Sequence, residues 1–159
     1  AWYNRGIALS NLGRNEDAIA SYDQAIKIKP DDPAAWTNRG AALSALGRKE
    51  DAIVSYDQAI TIKPDLHLAW NNRGIAPKDL GRKEDAIASY DQAITIKPDF
   101  HEAWYNKACC YALWGKVESA VEHLQQVIEL NLKYREKAKT DADFDGIRQD
   151  ERFRALVGE

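Results

Sequence analysis

The chain has 159 residues, of which 45% are hydrophobic, 30% charged and 9% aromatic. This composition is typical of a soluble globular domain with a sizeable core, and it argues against a disordered or membrane-spanning chain. Lys and Arg number 22 and Asp and Glu 25, which gives a net charge of −3. So small a charge excludes a general binder of nucleic-acid phosphates. We therefore expect neither nucleic acid nor a membrane as a partner.

The two cysteines, Cys109 and Cys110, are neighbours in the sequence. They cannot form the disulfide framework of a small secreted domain, so we expect a reducing compartment and a cytoplasmic protein. The chain contains no methionine and begins within an apolar pattern. We expect it to come from a longer protein, and that expectation weakens any assignment of location from targeting signals.

Internal repetition dominates the sequence. Tryptophan recurs every 34 residues, at Trp2, Trp36, Trp70 and Trp104. The run from residue 47 to 65, GRKEDAIVSYDQAITIKPD, differs from the run at 81–99 only where Val54 becomes Ala88. Self-similarity at a fixed period of this length indicates a repeat architecture built by duplication.

Each repeat has the pattern of two helices joined by a tight turn. In the second repeat, Trp36, Gly40 and Leu43 share one helical face, and Ala52 and Tyr56 share another. A glycine stands where each first helix must end, because glycine accepts the left-handed conformation that closes a helix. A proline follows each of the first three second helices, where a residue without an N–H cannot continue the helix. These residues are Gly13, Gly47, Gly81 and Gly115, then Pro30, Pro64 and Pro98.

The repeat resembles the tetratricopeptide repeat (TPR), here of the kind found in bacterial arrays. In the second unit the resemblance rests on Trp36-x2-Arg39-Gly40-x2-Leu43, then Ala52-x3-Tyr56, Ala59 and Pro64. The first and third units repeat most of this pattern, and the fourth is degenerate but keeps Trp104, Tyr111, Gly115 and Ala120. The resemblance implies an all-α, right-handed α-solenoid of helical hairpins with units at 1–32, 33–66, 67–100 and 101–132. It also implies a C-terminal capping segment at 133–159.

The physics of such repeats points to one surface. No hairpin buries its apolar face alone, so successive hairpins must stack and the last one needs a cap. We expect short helices in the cap at 133–139 and 151–157, the second with Phe153, Leu156 and Val157 on one side. Stacking leaves a concave surface lined by the first helices. We expect this surface to be open and to carry the function.

Proline interrupts the pattern once. Pro77 stands where Leu9 and Leu43 stand in the first two units. Inside a helix it removes a hydrogen bond to the Arg73 carbonyl and clashes with that carbonyl, at a cost of about 3 kcal/mol, and it also replaces a core leucine. We therefore expect a kinked or early-terminated first helix in the third hairpin.

Charged residues also recur at the repeat spacing. Arg5, Arg39 and Arg73 lie on first helices, and Asp23, Asp57 and Asp91 on second helices. They could form an intramolecular ladder of ion pairs. They could equally be solvated charges whose pairing contributes about 0–1 kcal/mol each. The sequence does not decide between the two.

Sites for metals and catalysis are weakly supported. The run Asp141-x-Asp143-x-Asp145-Gly146 matches the start of an EF-hand loop, but Arg152 stands where the loop needs its bidentate Glu. We expect these aspartates to cap a helix instead. Cys110 falls on the packed helical face, so we expect a small buried side chain there. No catalytic motif is present, and we predict a non-catalytic protein without cofactor or metal.

The TPR resemblance also implies which residues face the concave side. They are the first, second, fifth, eighth and ninth after each Trp. In the four units these are Tyr3, Asn4, Ile7, Ser10 and Asn11; Thr37, Asn38, Ala41, Ser44 and Ala45; Asn71, Asn72, Ile75, Lys78 and Asp79; and Tyr105, Asn106, Cys109, Ala112 and Leu113. The asparagines at the second of these positions are the only invariant members.

An asparagine row suggests recognition of peptide backbone. An amide both donates and accepts hydrogen bonds, so Asn4, Asn38, Asn72 and Asn106 could pair with an extended peptide without reading its side chains. Such rows resemble those of some peptide-binding TPR arrays. The neighbouring residues would then supply specificity, and we predict a peptide-binding set that also contains Tyr3, Thr37, Asn71, Tyr105, Asn11 and Ser44. Alternatively, each asparagine bonds to the adjacent hairpin and holds the superhelix together.

These features lead to a prediction of function with alternatives. The carboxylate clamp of chaperone-binding TPR domains needs lysine and asparagine where this chain has Tyr3, Thr37, Ile7 and Ala41, so we do not expect a chaperone tail as the ligand. We predict a scaffold that holds a peptide or helix of a partner protein in its groove. Alternatively, the chain stacks through its ends into homo-oligomers, or it is the regulatory arm of a larger enzyme.

Overall fold

The structure is a computed structural model that describes all 159 residues and contains helices and turns without strands. Eight helices form four consecutive hairpins: α1 (Trp2–Asn11) with α2 (Asn15–Ile28), α3 (Pro33–Ala45) with α4 (Lys49–Ile62), α5 (His67–Asp79) with α6 (Lys83–Ile96), and α7 (His101–Leu113) with α8 (Val117–Leu130). Each hairpin packs on the next, and the first helices also contact one another in order. The all-helical solenoid expected from the sequence is confirmed.

Tight turns close the hairpins as the sequence predicts. Gly47 has a φ of +77°, a left-handed conformation that favours glycine, and the Arg48 N–H beyond it donates to the Leu43 carbonyl at 2.9 Å. Close contact between the paired helices requires a second glycine. A Cβ on Gly40 would lie 2.7 Å from the ring of the buried Tyr56. The glycine and tyrosine of each pair therefore set the distance between their two helices.

The recurring charges form a ladder between hairpins. The Arg39 guanidinium lies 2.6 Å from the Asp23 carboxylate of the preceding hairpin, and the Arg73–Asp57 and Lys107–Asp91 pairs have the same separation. Of the two alternatives left open by the sequence, the ion-pair ladder is confirmed. The carboxylates remain about half exposed, so solvent screens each pair and its contribution to stability is modest.

Pro77 does not end its helix early, so of the two expected outcomes, a kink or early termination, the second was wrong. Helix α5 runs to Asp79, the position equivalent to Ala45 in α3, and the Leu80 N–H closes it on the Ala76 carbonyl at 3.1 Å. Pro77 lies close to the end of the helix, so only one internal hydrogen bond is lost. Its ring is also fully buried where Leu43 lies in the second hairpin, and it keeps part of the leucine's packing. A bend within the continuous helix stays a prediction.

The C-terminal residues fold back onto the last hairpin. Helix α9 (Lys133–Thr140), a 3₁₀ turn (Ala142–Ile147) and helix α10 (Glu151–Val157) follow α8, which confirms the two short helices expected there. Phe144 and Phe153 are fully buried, and they join Val157 and residues of α7 and α8 in a cluster of 14 buried side chains. This C-terminal cluster is the largest core of the molecule.

None of the helices combines the length and the hydropathy needed to cross a bilayer.

Candidate functional site

The concave surface is open along the first two hairpins, partly covered along α5 of the third, and covered most at the fourth. The 3₁₀ turn lies against α7, where Cys109 and Ala112 are 2% and 4% exposed. The expectation of an open surface along all four units is therefore wrong at the fourth and in part at the third. The covered residues are small and apolar in this unit, so they pack against the turn and do not face solvent.

Two polar contacts fix the turn in place. The Tyr105 hydroxyl donates to the Asp141 carboxylate at 2.7 Å, and the Lys78 ammonium on α5 lies 2.7 Å from the Asp143 carboxylate. Burial alone would lower the pKa of Lys78, but the hydrogen bond and charge of Asp143 outweigh it, and the net pKa is raised. The Tyr105 ring also meets Phe144 edge-on at 5.8 Å. The turn is thus anchored to two neighbouring first helices.

The aspartates of the EF-hand-like run have separate tasks. The Asp141 carboxylate accepts from the Asp143 N–H at 3.1 Å and caps the 3₁₀ turn, which confirms the expected capping role for this residue. Asp143 pairs with Lys78, as described above, and Asp145 pairs with Arg148 at 2.7 Å. No group of three or more metal-ligating side chains converges anywhere in the structure.

The asparagine row is divided between internal bonds and solvent. The Asn38 amide donates to the Tyr3 hydroxyl at 3.0 Å, and the Asn106 amide donates to the Asn71 carbonyl oxygen at 3.0 Å. These bonds link adjacent hairpins, as one of the two alternatives expects. The Asn4 and Asn72 amide nitrogens donate to no protein group, and Asn4 is exposed. These two amides are therefore free to donate to a ligand.

Three depressions follow the open part of the groove. We call the first the apolar pocket: it encloses about 350 Å³ and is lined by Tyr3, Pro33, Ala34, Thr37, Asn38, Lys63, Leu66, Leu68 and Ala69. A smaller hollow of about 210 Å³ beside it contains Ser10 and Asn11. The polar cavity encloses about 500 Å³ and is lined by Asn71, Ile75, Glu102, Tyr105, Asn106, Lys133, Tyr134 and Lys137.

The structure brings most of the predicted site residues together, with two differences in exposure. Tyr3, Thr37 and Asn38 meet at the apolar pocket, and Asn11 lies in the adjacent hollow. Asn71 and Tyr105 line the polar cavity but are only 4% and 2% exposed, because neighbouring side chains and the 3₁₀ turn cover them. Outside all three depressions lie the exposed Asn4 and the half-buried Ser44 and Asn72.

Several residues that line the groove were not predicted from the sequence. Leu66 and Leu68 contribute apolar surface next to α5, and Leu68 is 50% exposed. Lys133 and Lys137 reach the polar cavity from α9. The lysines lie outside the repeat, so the repeat register could not place them. Leu68 stands two residues before Trp70, where Ala34 and Glu102 stand in the neighbouring units, and this variation within the repeat is a signal that could have identified it.

The two thiols are buried and unpaired. Cys109 belongs to the C-terminal cluster, whereas Cys110 packs with Ala86 and Tyr90 of the third hairpin. Burial raises the pKa of Cys109 well above its usual value and that of Cys110 to about 11. The expectation that Cys110 acts as a small buried side chain is confirmed.

Family models and solved structures agree with this architecture. Residues 11–47 and 76–113 match the model described as TPR repeat, and residues 33–66 and 101–134 match the tetratricopeptide repeat model. The chain belongs to the tetratricopeptide repeat family. Among curated protein sequences, none matches it significantly.

Several solved TPR structures are similar to the chain. A crystal structure of MamA protein superposes with a TM-score of 0.83 at 19% identity, covering 98% of this chain and 87% of that one. YrrB gives a TM-score of 0.75 at 17% identity, covering 98% and 80%. The first TPR of Spaghetti (RPAP3) gives 0.70 at 22% identity, covering 72% and 90%. At these identities the similarity shows the fold.

Proposed function

We propose that the chain is a non-catalytic scaffold that binds an extended segment of a partner protein along its concave surface. The observation that carries the proposal is the groove over α1, α3 and α5, which ends in the polar cavity at α7. Two similar structures support it: YrrB is described as a TPR protein with an unusual peptide-binding site, and the RPAP3 domain was solved bound to the HSP90 peptide SRMEEVD.

The groove would bind by complementarity to a preorganised surface. The free amide nitrogens of Asn4 and Asn72 donate to peptide carbonyl oxygens, while Asn38 is held in position by its bond to Tyr3. An apolar side chain of the peptide fills the apolar pocket, where burial of its surface supplies most of the favourable free energy. The rigid stack of hairpins lowers the entropic cost of binding.

The proposal is tested by selecting peptides from a displayed random library on the intact chain. Binding of the selected peptides is then measured to the Asn38→Ala/Asn72→Ala variant and to a control, Gln58→Ala/Gln92→Ala, which changes two exposed amides on the second helices. We expect the groove variant to lose affinity by about tenfold or more and the control to retain it. Failure to select any peptide, or equal affinity for both folded variants, would overturn the proposal.

A second candidate function is assembly through the N-terminal end. It is supported by Arg5, which has no carboxylate partner, unlike the equivalent arginines of the next two hairpins. The Arg5 guanidinium donates only to Ser21, while Arg39 and Arg73 also pair with the preceding hairpin. Trp2 beside it is 39% exposed. The second helix of another TPR hairpin, from the same protein or from a second copy, would supply the missing carboxylate, as Asp23 does for Arg39. Sedimentation at increasing concentration tests the idea, and a monomer throughout would count against self-assembly.

A further inference from the structure

The polar cavity contains two lysines without acidic partners. Lys78, Lys107 and Lys139 each form an ion pair with a carboxylate, whereas Lys133 and Lys137 on α9 form none. Both are exposed at the cavity wall. Glu102 is the only acidic side chain in the lining, so the lining carries one net positive charge. An unpaired positive charge in a concave site attracts an anion.

Aromatic rings orient these two lysines. The Lys137 ammonium lies 4.3 Å from the centre of the Tyr105 ring and 5.6 Å from that of Tyr134. The Lys133 ammonium lies 5.3 Å from the centre of the Tyr134 ring. Cation–π attraction holds each ammonium over a ring and leaves its N–H groups free to donate. Both tyrosines are fixed in the C-terminal cluster, so the two donors are held near one another at the cavity wall.

The spacing of the apolar pocket and the polar cavity sets the length of the peptide segment that can occupy both. The apolar pocket is centred on α3 and the polar cavity on α7, so they are separated by two steps between neighbouring first helices. Packed helices lie about 8–10 Å apart, which gives a separation of about 16–20 Å. An extended chain covers about 3.3–3.6 Å per residue, so about five or six residues connect the two sites.

We propose that the polar cavity binds a carboxylate of the peptide in the groove, with an apolar side chain of the same peptide in the apolar pocket about five residues away. The proposal rests on the peptide-binding function and names the chemistry of the ligand. Lys133 and Lys137 donate to the carboxylate oxygens, and Glu102 opposes the bound charge. The lysines come from the C-terminal segment, which therefore completes the binding surface.

The test uses fluorescent ten-residue peptides of Ser, Ala and Gly with one leucine and one glutamate five residues apart. In further peptides the glutamate becomes glutamine, the leucine becomes alanine, or a free C-terminal carboxylate replaces the glutamate side chain. The glutamate peptides carry an amidated C-terminus. Fluorescence anisotropy gives the affinity for the intact chain, for Lys133→Met, Lys137→Met and Glu102→Gln, and for a control, Lys27→Met, which removes an exposed lysine on α2.

We expect glutamate to bind about two- to fivefold more tightly than glutamine, the size of effect given by a partly screened charge pair. Each cavity lysine variant should reduce this preference, Glu102→Gln should increase it, and Lys27→Met should leave it unchanged. The C-terminal acid peptide shows whether a chain terminus serves as well as a side chain. Equal binding of glutamate and glutamine peptides, no binding of either, or a preference that survives both lysine variants would overturn the inference. Peptide selection from the library would still decide the proposed function independently.

Discussion

The position of the C-terminal turn on the groove makes a sharp prediction about Phe144. This side chain is fully buried, stacks on Phe153 at 5.4 Å between ring centres and meets Tyr105 edge-on. Replacing a buried phenylalanine by alanine costs about 3–5 kcal/mol. The turn is only six residues long and packs mainly on α7, so we expect Phe144→Ala to open the turn locally before the hairpins unfold.

Thiol labelling measures this opening directly. Cys109 lies beneath the turn in the same cluster as Phe144, and a loss of 3 kcal/mol raises the equilibrium constant for opening by about 100-fold. Burial raises the pKa of Cys109, so opening also restores its reactive thiolate. In a Cys110→Ala background, Phe144→Ala should therefore accelerate labelling of the remaining thiol by about 100-fold, provided that opening is in rapid equilibrium.

Two controls separate local opening from global unfolding. Cys110 packs with Ala86 and Tyr90, so in a Cys109→Ala background its labelling should respond little to Phe144→Ala. Ala142→Ser changes an exposed residue of the same turn and should leave labelling of Cys109 unchanged. Labelling of Cys109 that does not accelerate in Phe144→Ala would show that the turn does not cover α7. Equal acceleration at both thiols would show that the whole array opens together.

Three further substitutions probe the ion-pair ladder, the helix that contains Pro77, and the half-buried His123. Arg73→Met should lower the unfolding free energy by about 1–3 kcal/mol, because the half-buried guanidinium bonds to two carboxylates. The control Arg48→Met removes an exposed guanidinium and should cost less than about 1 kcal/mol. Equal losses of the two variants in chemical denaturation would contradict this. Pro77→Leu should stabilise the chain by up to about 3 kcal/mol by restoring the lost hydrogen bond, and a lower melting temperature would argue against it. Burial lowers the pKa of His123 below 6.5, so the folded chain binds this proton less readily than the unfolded chain, and the unfolding free energy should fall as the pH drops below 6.5. A His123→Gln variant should lose less unfolding free energy over the same pH range. Parallel pH profiles of the two proteins would refute the assignment to His123.

The repeat fold could be predicted because the residues that specify each hairpin lie close together in the sequence and recur in every unit. The tryptophan spacing, the turn glycines and the prolines each fix a hairpin within 34 residues, and near-identical units must fold alike. The ladder could be foreseen only as one of two alternatives. Residue spacing shows which charges recur, but ion pairing depends on the distance between hairpins. That distance is set by packing of the second helix of one hairpin on the first helix of the next, as between α2 and α3, which residue spacing alone does not give.

The covered part of the groove could not be predicted in the same way. Tyr3 and Tyr105 occupy the same repeat position, yet Tyr105 is buried because the chain returns after the repeat register has ended. One signal was present in the sequence: the eighth residue after the tryptophan is polar in the first three units, at Ser10, Ser44 and Lys78, and apolar in the fourth, at Ala112. A change from polar to apolar at inward-facing positions indicates a surface that another segment covers.

The central claim, that the concave surface binds peptide, is tested most directly by NMR titration with a library-selected peptide. We predict that the side-chain amide signals of Asn4, Asn38 and Asn72 shift together as the bound fraction rises, because Asn38 lines the apolar pocket and the amide nitrogens of Asn4 and Asn72 have no protein acceptor. The exposed amides of Gln58 and Gln92 on the second helices should not move. Shifts confined to the second helices, with the three asparagine signals unchanged at saturation, would contradict the account.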